Sequence, residues 1–511
     1  MTRAIDYSLY LVTGRELLPP GKAIKGGVTV VQVREKNIDT KEFLQIALET
    51  KQLCRKYDVP LIINDRIDIA LAIHADGVHL GQSDMPIAIA RQLLPQGTII
   101  GTSVNTIEEA KKAKADGVDY IGIGAVWTTS SKKLTAPVLG VRGVGPILEV
   151  LKDTEIRAVA IGGIKITNAL RALHGAIAPS DYRYLDGLAV VSEVVASPKP
   201  FETARELSHI IKSFKSFKLP PVFSFHSAKC SVDSFVSKAG KLLESVRALS
   251  PLVHQLQEIT NIVVSTQSAN ATLALGASPI MSNASEEMSD LSKIIGGLLI
   301  NIGTITNKEC MLLAVVFDPV AVGATAHRKS ATEEFLNEFQ PTVIKGNAGE
   351  IGALVGSLEA KSRGVDSIGP GFANPAEIVR RLARRERCIV LLTGETDWIS
   401  DGDVVIKVAN GHCYLSSITG SGCMLGTCVA TFCAAASLSA PPSESLDRLL
   451  VGGDMLIATL GGLLALTVAS ELAGERPDVK GTGTFLPALI DALFHLTPEQ
   501  ITERAKVEIV I

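Results

Sequence analysis

The sequence is poor in aromatic residues, 5% with two tryptophans among 511, and its eight cysteines are too few and too scattered for a disulfide scaffold. No Cys-x-x-Cys pair occurs, and Cys423, Cys428 and Cys433 stand five apart, a poor match to zinc spacing. The thiols therefore read as reduced. Neither sign of charge dominates: 50 Lys and Arg against 53 Asp and Glu leave a net charge of −3, so no general nucleic-acid surface is advertised. No secretory leader is expected, because MTRAIDYSLYLVTG runs directly into a strand-like segment. Residues 413–443 and 455–470 carry no charge. The first stretch is broken by Gly, Ser, Thr and a Pro pair, and the second falls short of the ~20 apolar residues that span a bilayer. Both are expected to be helices buried in a large core. These absences argue against a secreted scaffold, a membrane protein and a nucleic-acid binder, and a soluble, cytoplasmic protein is expected.

What is present is 46% hydrophobic and 20% charged residues with 44 glycines, which excludes a disordered or coiled-coil chain. The length allows roughly two to four domains. Over the first 200 residues, strand-like runs recur at 8–13, 28–35, 60–65, 77–81, 99–104, 120–127, 158–164 and 187–192. Amphipathic stretches such as KEFLQIALETKQLCRKY and TIEEAKKAKADG lie between most of them. Eight such strands predict an α/β fold of the (β/α)8 TIM-barrel type over residues 1–215. The Pro-containing segment at 216–235 is expected to be a linker. Residues 236–511 alternate again, with strands expected near NIVVST, LLINIGTI, LAVVFDPV, TVIKGN, CIVLLTG and DVVIKVANG and a largely helical last third. That pattern predicts an open α/β sheet, the shape of a nucleotide- or sugar-kinase domain.

Barrels of this type carry their chemistry where strands end. The ends supply Gln32, Arg34 and Lys36, then Asn64 and Asp65, Asp84, Ser103, the run Thr129, Ser130, Ser131, Lys132, then Gly163, and finally Val191 and Ser192. A single Asp at a strand end is ordinarily a turn residue. Six or more polar ends on one rim are not explained that way. Asp65 and Asp84 are hard oxygen donors suited to Mg²⁺, Arg34, Lys36 and Lys132 can neutralise a diphosphate, and the Gly163 and Ser192 backbone suits a second phosphate.

The stretches VQVREKN, LIINDRIDIALAIHADGVHLGQSD, IIGTSVNTIEEA and YIGIGAVWTTSSKK resemble the thiamine phosphate synthase family, over roughly residues 8–195. The resemblance implies that a pyrimidine methyl diphosphate loses diphosphate to give a stabilised cation, which the nitrogen of a thiazole phosphate captures. It assigns the segment Gln32, Val33, Arg34, Glu35, Lys36 together with Asn64, Ser103 and Lys132 to the pyrimidine diphosphate. It assigns Asp65 and Asp84 to Mg²⁺, and Thr129, Ser130, Ser131, Gly163, Val191 and Ser192 to the thiazole phosphate. Ala125 and Leu134 depart from the family pattern, as does the long connection HGAIAPSDYRYLDG.

In the second region, SSITGSGCMLGTCVATF (416–432) places a Gly-x-Gly turn before a long uncharged helix, whose first N–H groups suit a developing negative charge. Cys423 falls in that first turn; an unpaired cysteine is otherwise an ordinary core residue. With LVHQLQEITN, ANATLALGASPIMS, DPVAVGATAHR, VIKGNAGEI and LLTGETDWISDG, this run resembles the ribokinase-like hydroxyethylthiazole kinase family over roughly 250–500. The resemblance implies that Met281 and Gly420 contact a thiazole alcohol, that Cys423 is the catalytic base or orienting group, and that Arg328 and Thr393 bind ATP. Asp318, Glu333, Asn347 and Glu350 are weaker candidates around Mg²⁺. Gln267, Ser268, Ala321 and Thr482 depart from the family pattern.

Together the two regions resemble the fungal-type bifunctional thiamine biosynthetic enzymes, with the kinase product as the barrel's second substrate. The resemblance implies small-molecule substrates (thiazole alcohol, ATP and pyrimidine diphosphate), Mg²⁺ and a homo-oligomer. Two alternatives stay open on the residues: a working synthase with a structural kinase domain, and a non-catalytic ligand sensor.

Overall fold

The computed structural model describes residues 5–13, 21–129, 136–216, 231–256, 264–282, 284–301, 314–357, 359, 361–363, 366–368, 371–441 and 450–510. The chain forms two compact units, Met1–Leu219 and Pro220–Ile511.

In the first unit eight parallel strands close in sequence order. They are β1 (Leu9–Thr13), β2 (Val30–Val33), β3 (Leu61–Asn64), β4 (Gly77–Leu80), β5 (Ile99–Val104), β6 (Tyr120–Ile123), β7 (Arg157–Ile161) and β8 (Gly187–Val190). The pairing of β1 with β8 completes the ring. Each falls within, or one residue outside, a strand-like run of the sequence. Side chains alternate across a strand, so the barrel has two sets. Leu9, Leu11, Val31, Val33, Leu61 and Ile63 face the surrounding helices. Tyr10, Val12, Val30, Ile62, Tyr120 and Val159 fill the interior. The two predicted helices stand at Thr40–Lys56 and Ile107–Ala115, and a further helix spans Pro200–Lys215. The second is capped by Thr106, whose hydroxyl accepts the Glu109 N–H at 3.1 Å.

The second unit is built on nine strands: β9 (Leu252–Leu256), β10 (Ser278–Ile280), β11 (Gly297–Asn301), β12 (Ala314–Asp318), β13 (Val343–Asn347), β16 (Ile389–Thr393), β17 (Asp397–Ser400), β18 (Val405–Val408) and β19 (Val507–Ile509). A separate hairpin pairs β14 (Lys361–Arg363) with β15 (Asp366–Ile368). The large sheet runs β10-β9-β11-β12-β13-β16-β17-β18-β19, parallel as far as β16 and antiparallel beyond it. One expected strand is corrected. The NIVVST run lies partly outside the described residues, and its end opens the helix Ser265–Leu275. The strand in this region is the earlier LVHQL, where His254 and Gln255 break the apolar pattern. The helix Val232–Leu249 also begins inside the segment expected to be linker, capped by Ser231.

The helices Ser421–Ser439 and Met455–Gly474 are long and apolar enough to cross a membrane, yet both are mostly buried inside this unit. They are apolar all round and pack against each other, which is how a helix behaves in the middle of a large core. Gly462 makes the approach possible: a Cβ there would stand 2.6 Å from Val429 Cα. Gly462→Ala must push the helices apart, and the expected loss is about 1–3 kcal/mol. Urea unfolding of the two proteins side by side measures it.

Candidate active sites

Strand alternation brings part of the expected set to the carboxyl rim of the barrel. Gln32, Asn64, His79, Ser103 and Tyr120 occupy interior-facing positions. Gln32 Nε2 donates to Tyr10 Oη at 2.9 Å, and Ser103 Oγ stands 3.0 Å from His79 Nε2. Asn64 Nδ2 is a buried donor with no hydrogen-bond partner, as expected of a group that meets a ligand. Val33 is different. Its side chain belongs to the core under the helices, so only its backbone can serve the rim. Glu35, on the same parity, is buried as well.

Asp65 follows β3 with a left-handed backbone (φ 62°), and its Oδ2 lies 3.1 Å from Lys36 Nζ. Asp84 follows β4, where its Oδ2 accepts the Gly81 N–H at 2.6 Å. The two carboxyls are in hydrogen-bonding contact. Burial, and then Asp65, push Asp84 above the usual carboxylate range, against the pull of Gly81 N–H and Lys36. Two facing carboxylates with a cation alongside fit a divalent ion that completes its shell with substrate phosphate and water. Among the described residues no group of three or more His, Cys, Asp or Glu could hold a metal.

Opposite them, Gly163 has φ 66°, and a Cβ there would come within 2.7 Å of Thr128 O. The turn therefore admits no larger residue without strain. Asn168 Nδ2 donates to Gly163 O at 2.9 Å and braces it. After β8, Val191 is the N-cap of the short helix Ser192–Val195, whose first residue, Ser192, is exposed. Thr129 is half-buried at the end of the described segment; Ser130, Ser131 and Lys132 lie outside the described residues.

In the second unit Asp318, Asn347 and Thr393 are the last residues of β12, β13 and β16, neighbours in the sheet. Asn347 and Glu350 cap the next helix reciprocally, Asn347 Oδ1 accepting the Glu350 N–H at 3.0 Å and Glu350 Oε2 accepting the Asn347 N–H at 2.9 Å. Glu350 Oε1 also accepts the Ala321 N–H at 3.0 Å. Gly420 (φ 83°) opens the helix Ser421–Ser439, and Cys423 is buried in its first turn. Arg328 Nη1 donates to Val320 O at 2.8 Å on the loop after β12. Met281 is half-buried just beyond β10, and Glu333 is exposed on the helix Ala326–Glu338.

The residue that sequence reasoning passed over is Lys345. It is buried in the middle of β13, with Nζ 3.0 Å from Asp318 Oδ1. Burial opposes its charge, but Asp318, Glu350 and Cys423 outweigh that and hold the ammonium above its ordinary range. A Cβ on Gly422 would lie 3.5 Å from the same Nζ, which places the cation under the Gly420–Cys423 turn. The signal was available: a lysine inside a central parallel strand is rare unless it is paired. Asp397 is a second omission. Burial pushes it up to about 7, against the Gly394 N–H and Lys345.

The hydroxyethylthiazole kinase family matches residues 243–499, and the thiamine monophosphate synthase family matches residues 9–194. The chain is 39% identical to a probable thiamine biosynthetic bifunctional enzyme of Schizosaccharomyces pombe, with 99% of each chain covered. It is 35% identical to the thiamine biosynthetic bifunctional enzyme of Saccharomyces cerevisiae, over 98% of this chain and 97% of that one. A hydroxyethylthiazole kinase of Desulforudis audaxviator is 40% identical over 52% of this chain and 93% of its own. Fold, sites and relatives define an enzyme of two transferase units, a synthase barrel followed by a kinase. The chain belongs to the bifunctional thiamine biosynthetic enzymes, with a thiamine phosphate synthase domain and a hydroxyethylthiazole kinase domain.

Two measurements probe the kinase site in metal-free buffer. Burial, and then the Asp318 charge, push Glu350 from its ordinary 4.5 up to about 7. A carboxyl raised on folding stabilises fully below about pH 4.5, and that contribution is lost as pH rises through about 7. The unfolding free energy from urea titrations should therefore fall across this window, by up to about 3 kcal/mol, and the fall should flatten in Glu350→Gln. Ala321 has φ 55°, so Ala321→Gly should raise stability by about 1 kcal/mol.

Proposed function

We propose that the kinase unit transfers the γ-phosphoryl group of ATP to the hydroxyl of 4-methyl-5-(2-hydroxyethyl)thiazole. The barrel then joins the thiazole phosphate to 4-amino-2-methyl-5-(diphosphooxymethyl)pyrimidine. The products are thiamine phosphate and diphosphate. What supports the pairing is that one chain holds both clusters, Lys36–Asp65–Asp84 at the barrel rim and Lys345–Asp318 beneath the Cys423 turn.

In the kinase, Met281 and Gly420 seat the thiazole alcohol. Cys423 orients its hydroxyl or takes its proton. Arg328 and Thr393 hold ATP. The N–H groups that open the helix Ser421–Ser439 face the charge that builds during transfer. Lys345 adds a buried cation to the same place, and positioning with charge neutralisation is most of what phosphoryl transfer requires. Asp318, Asn347 and Glu350 are the groups toward which Mg²⁺ with ATP would be drawn.

In the barrel, Gln32, Arg34, Asn64, Ser103 and Lys132 hold the pyrimidine diphosphate, with Lys36 at the rim. Asp65 and Asp84 hold Mg²⁺, which when bound neutralises the leaving diphosphate. The C–O bond breaks with its electron pair going to diphosphate, the pyrimidine methyl cation remains, and the thiazole nitrogen donates its lone pair to form the C–N bond. No general base is required, because no proton leaves. Thr129, Ser130, Ser131, Gly163, Val191 and Ser192 cradle the thiazole phosphate. A homo-oligomer in the cytosol completes the proposal.

The test is a mass-spectrometric product assay with Mg²⁺ and pyrimidine diphosphate, supplied with thiazole phosphate or with thiazole alcohol plus ATP. Thiamine phosphate is expected from both mixtures. Product from preformed thiazole phosphate alone would leave the kinase proposal without support. Asp65→Ala should cut coupling at least about 100-fold and spare phosphorylation, and Cys423→Ala should do the reverse by at least about 10-fold.

A further inference from the structure

The interior of the barrel holds a polar chain whose three middle members, Tyr10, Tyr120 and His79, have none of the roles above. Gln32 Nε2 donates to Tyr10 Oη at 2.9 Å, and Tyr10 Oη lies 2.7 Å from Tyr120 Oη. Tyr120 Oη is 3.0 Å from His79 Nδ1, and His79 Nε2 is 3.0 Å from Ser103 Oγ. Five side chains from β2, β1, β6, β4 and β5 thus connect one expected pyrimidine-diphosphate ligand to another. All are buried except Ser103, which is half-buried. The rings pack as well, with centroids 5.7 Å apart for Tyr10 and Tyr120 and 5.5 Å apart for His79 and Tyr120.

Each hydroxyl brings one proton, so with a neutral imidazole and every proton spent on the next member, the chain can run in one of two directions. With the Gln32 amide donating, Tyr10 passes its proton to Tyr120, Tyr120 donates to His79 Nδ1, and His79 Nε2–H donates to Ser103 Oγ. The Ser103 proton is then left for the substrate. The opposite order requires the Gln32 carboxamide to turn over and accept from Tyr10, with the proton on His79 Nδ1. Ser103 would then spend its proton on His79 and meet the substrate only as an acceptor. A diphosphate offers acceptors alone, so only the first order lets Ser103 bond to it. Burial first of all raises both phenols, Tyr120 well above its ordinary value, so neither drops out of the chain by ionising.

We infer that Gln32, Tyr10, Tyr120 and His79 form a one-way hydrogen-bond relay that holds His79 as its Nε2–H tautomer and frees the Ser103 hydroxyl to donate to the diphosphate. Tyr10, Tyr120 and His79 are therefore positioning residues of the coupling reaction. The substrate half of this inference rests on the synthase reading proposed above; the tautomer half does not.

The experiment uses the full chain with ¹⁵N-histidine, free of substrate, and long-range proton–nitrogen correlation. The His79 signals are assigned, among nine histidines, by their loss in His79→Gln. A protonated Nε2 and a bare Nδ1 are expected; a proton on Nδ1 in the wild-type chain would overturn the relay, and His79→Asn supplies the same assignment should His79→Gln fail to fold. Kinetics follow. Tyr120→Phe should raise KM for the pyrimidine diphosphate about ten-fold and leave thiazole phosphorylation unchanged. His79→Gln, whose amide reaches the ε position, should keep more coupling activity than His79→Asn, whose amide reaches only the δ position. Equal activity in those two variants, or an unchanged KM in Tyr120→Phe, would also sink the inference. A wild-type chain with the expected tautomer and no coupling would instead count against the synthase reading.

Discussion

Parallel strands all end on one edge, and both units place their chemistry there. In the barrel, Asn64 closes β3, while Asp65 and Asp84 stand in the turns after β3 and β4. In the kinase sheet, Asp318, Asn347 and Thr393 close three neighbouring strands. The cause is geometric. Within a strand the backbone amides are committed to the ladder, and at its end the chain must turn, releasing polar groups on a face that the following helix leaves open. Two unrelated topologies therefore arrive at one arrangement, with carboxylates and cations converging where phosphate-bearing substrates are expected.

That arrangement carries a desolvation cost, met by pairing. Lys345 and Asp318 are both nearly fully buried, and taking either out of water alone would cost several kcal/mol. Together at 3.0 Å they hold each other in place, and Glu350, fixed by the Ala321 and Asn347 amides, adds its charge beside them. Such a cluster is a weak source of stability and a strong source of order, because removing one member leaves its partner buried and unmatched. The barrel answers the same problem differently. Its interior polar groups are mostly uncharged phenols, an imidazole and amides, joined by hydrogen bonds of 2.7 to 3.0 Å. Charge is kept at the rim, where Lys36 and Asp65 remain partly exposed.

The barrel was legible in the sequence because its signal repeats. Eight apolar runs at similar spacing, each with a polar end, leave little freedom of interpretation, and the observed strands follow them closely. The second unit was less legible at its edges. The strand Leu252–Leu256 carries His254 and Gln255 inside the sheet, which weakens the apolar signal, while the NIVVST run nearby is β-branched and reads as strand although its end enters a helix. The short strands Ser278–Ile280 and Val507–Ile509 offer three residues each, too few for periodicity to register.

For the sites, the sequence alone determined which residues end strands, since polar residues after apolar runs mark the rim directly. It determined the two long apolar helices and, through the Gly-x-Gly turn, where Cys423 would lie. Only the tertiary structure decided which buried polar groups face one another. Lys345 meets Asp318 across adjacent strands 27 residues apart in sequence, and Tyr10 meets Tyr120 across the barrel at a separation of 110. Side-chain alternation says which face a residue takes, but register and closure set its neighbour, and these are properties of the assembled sheet.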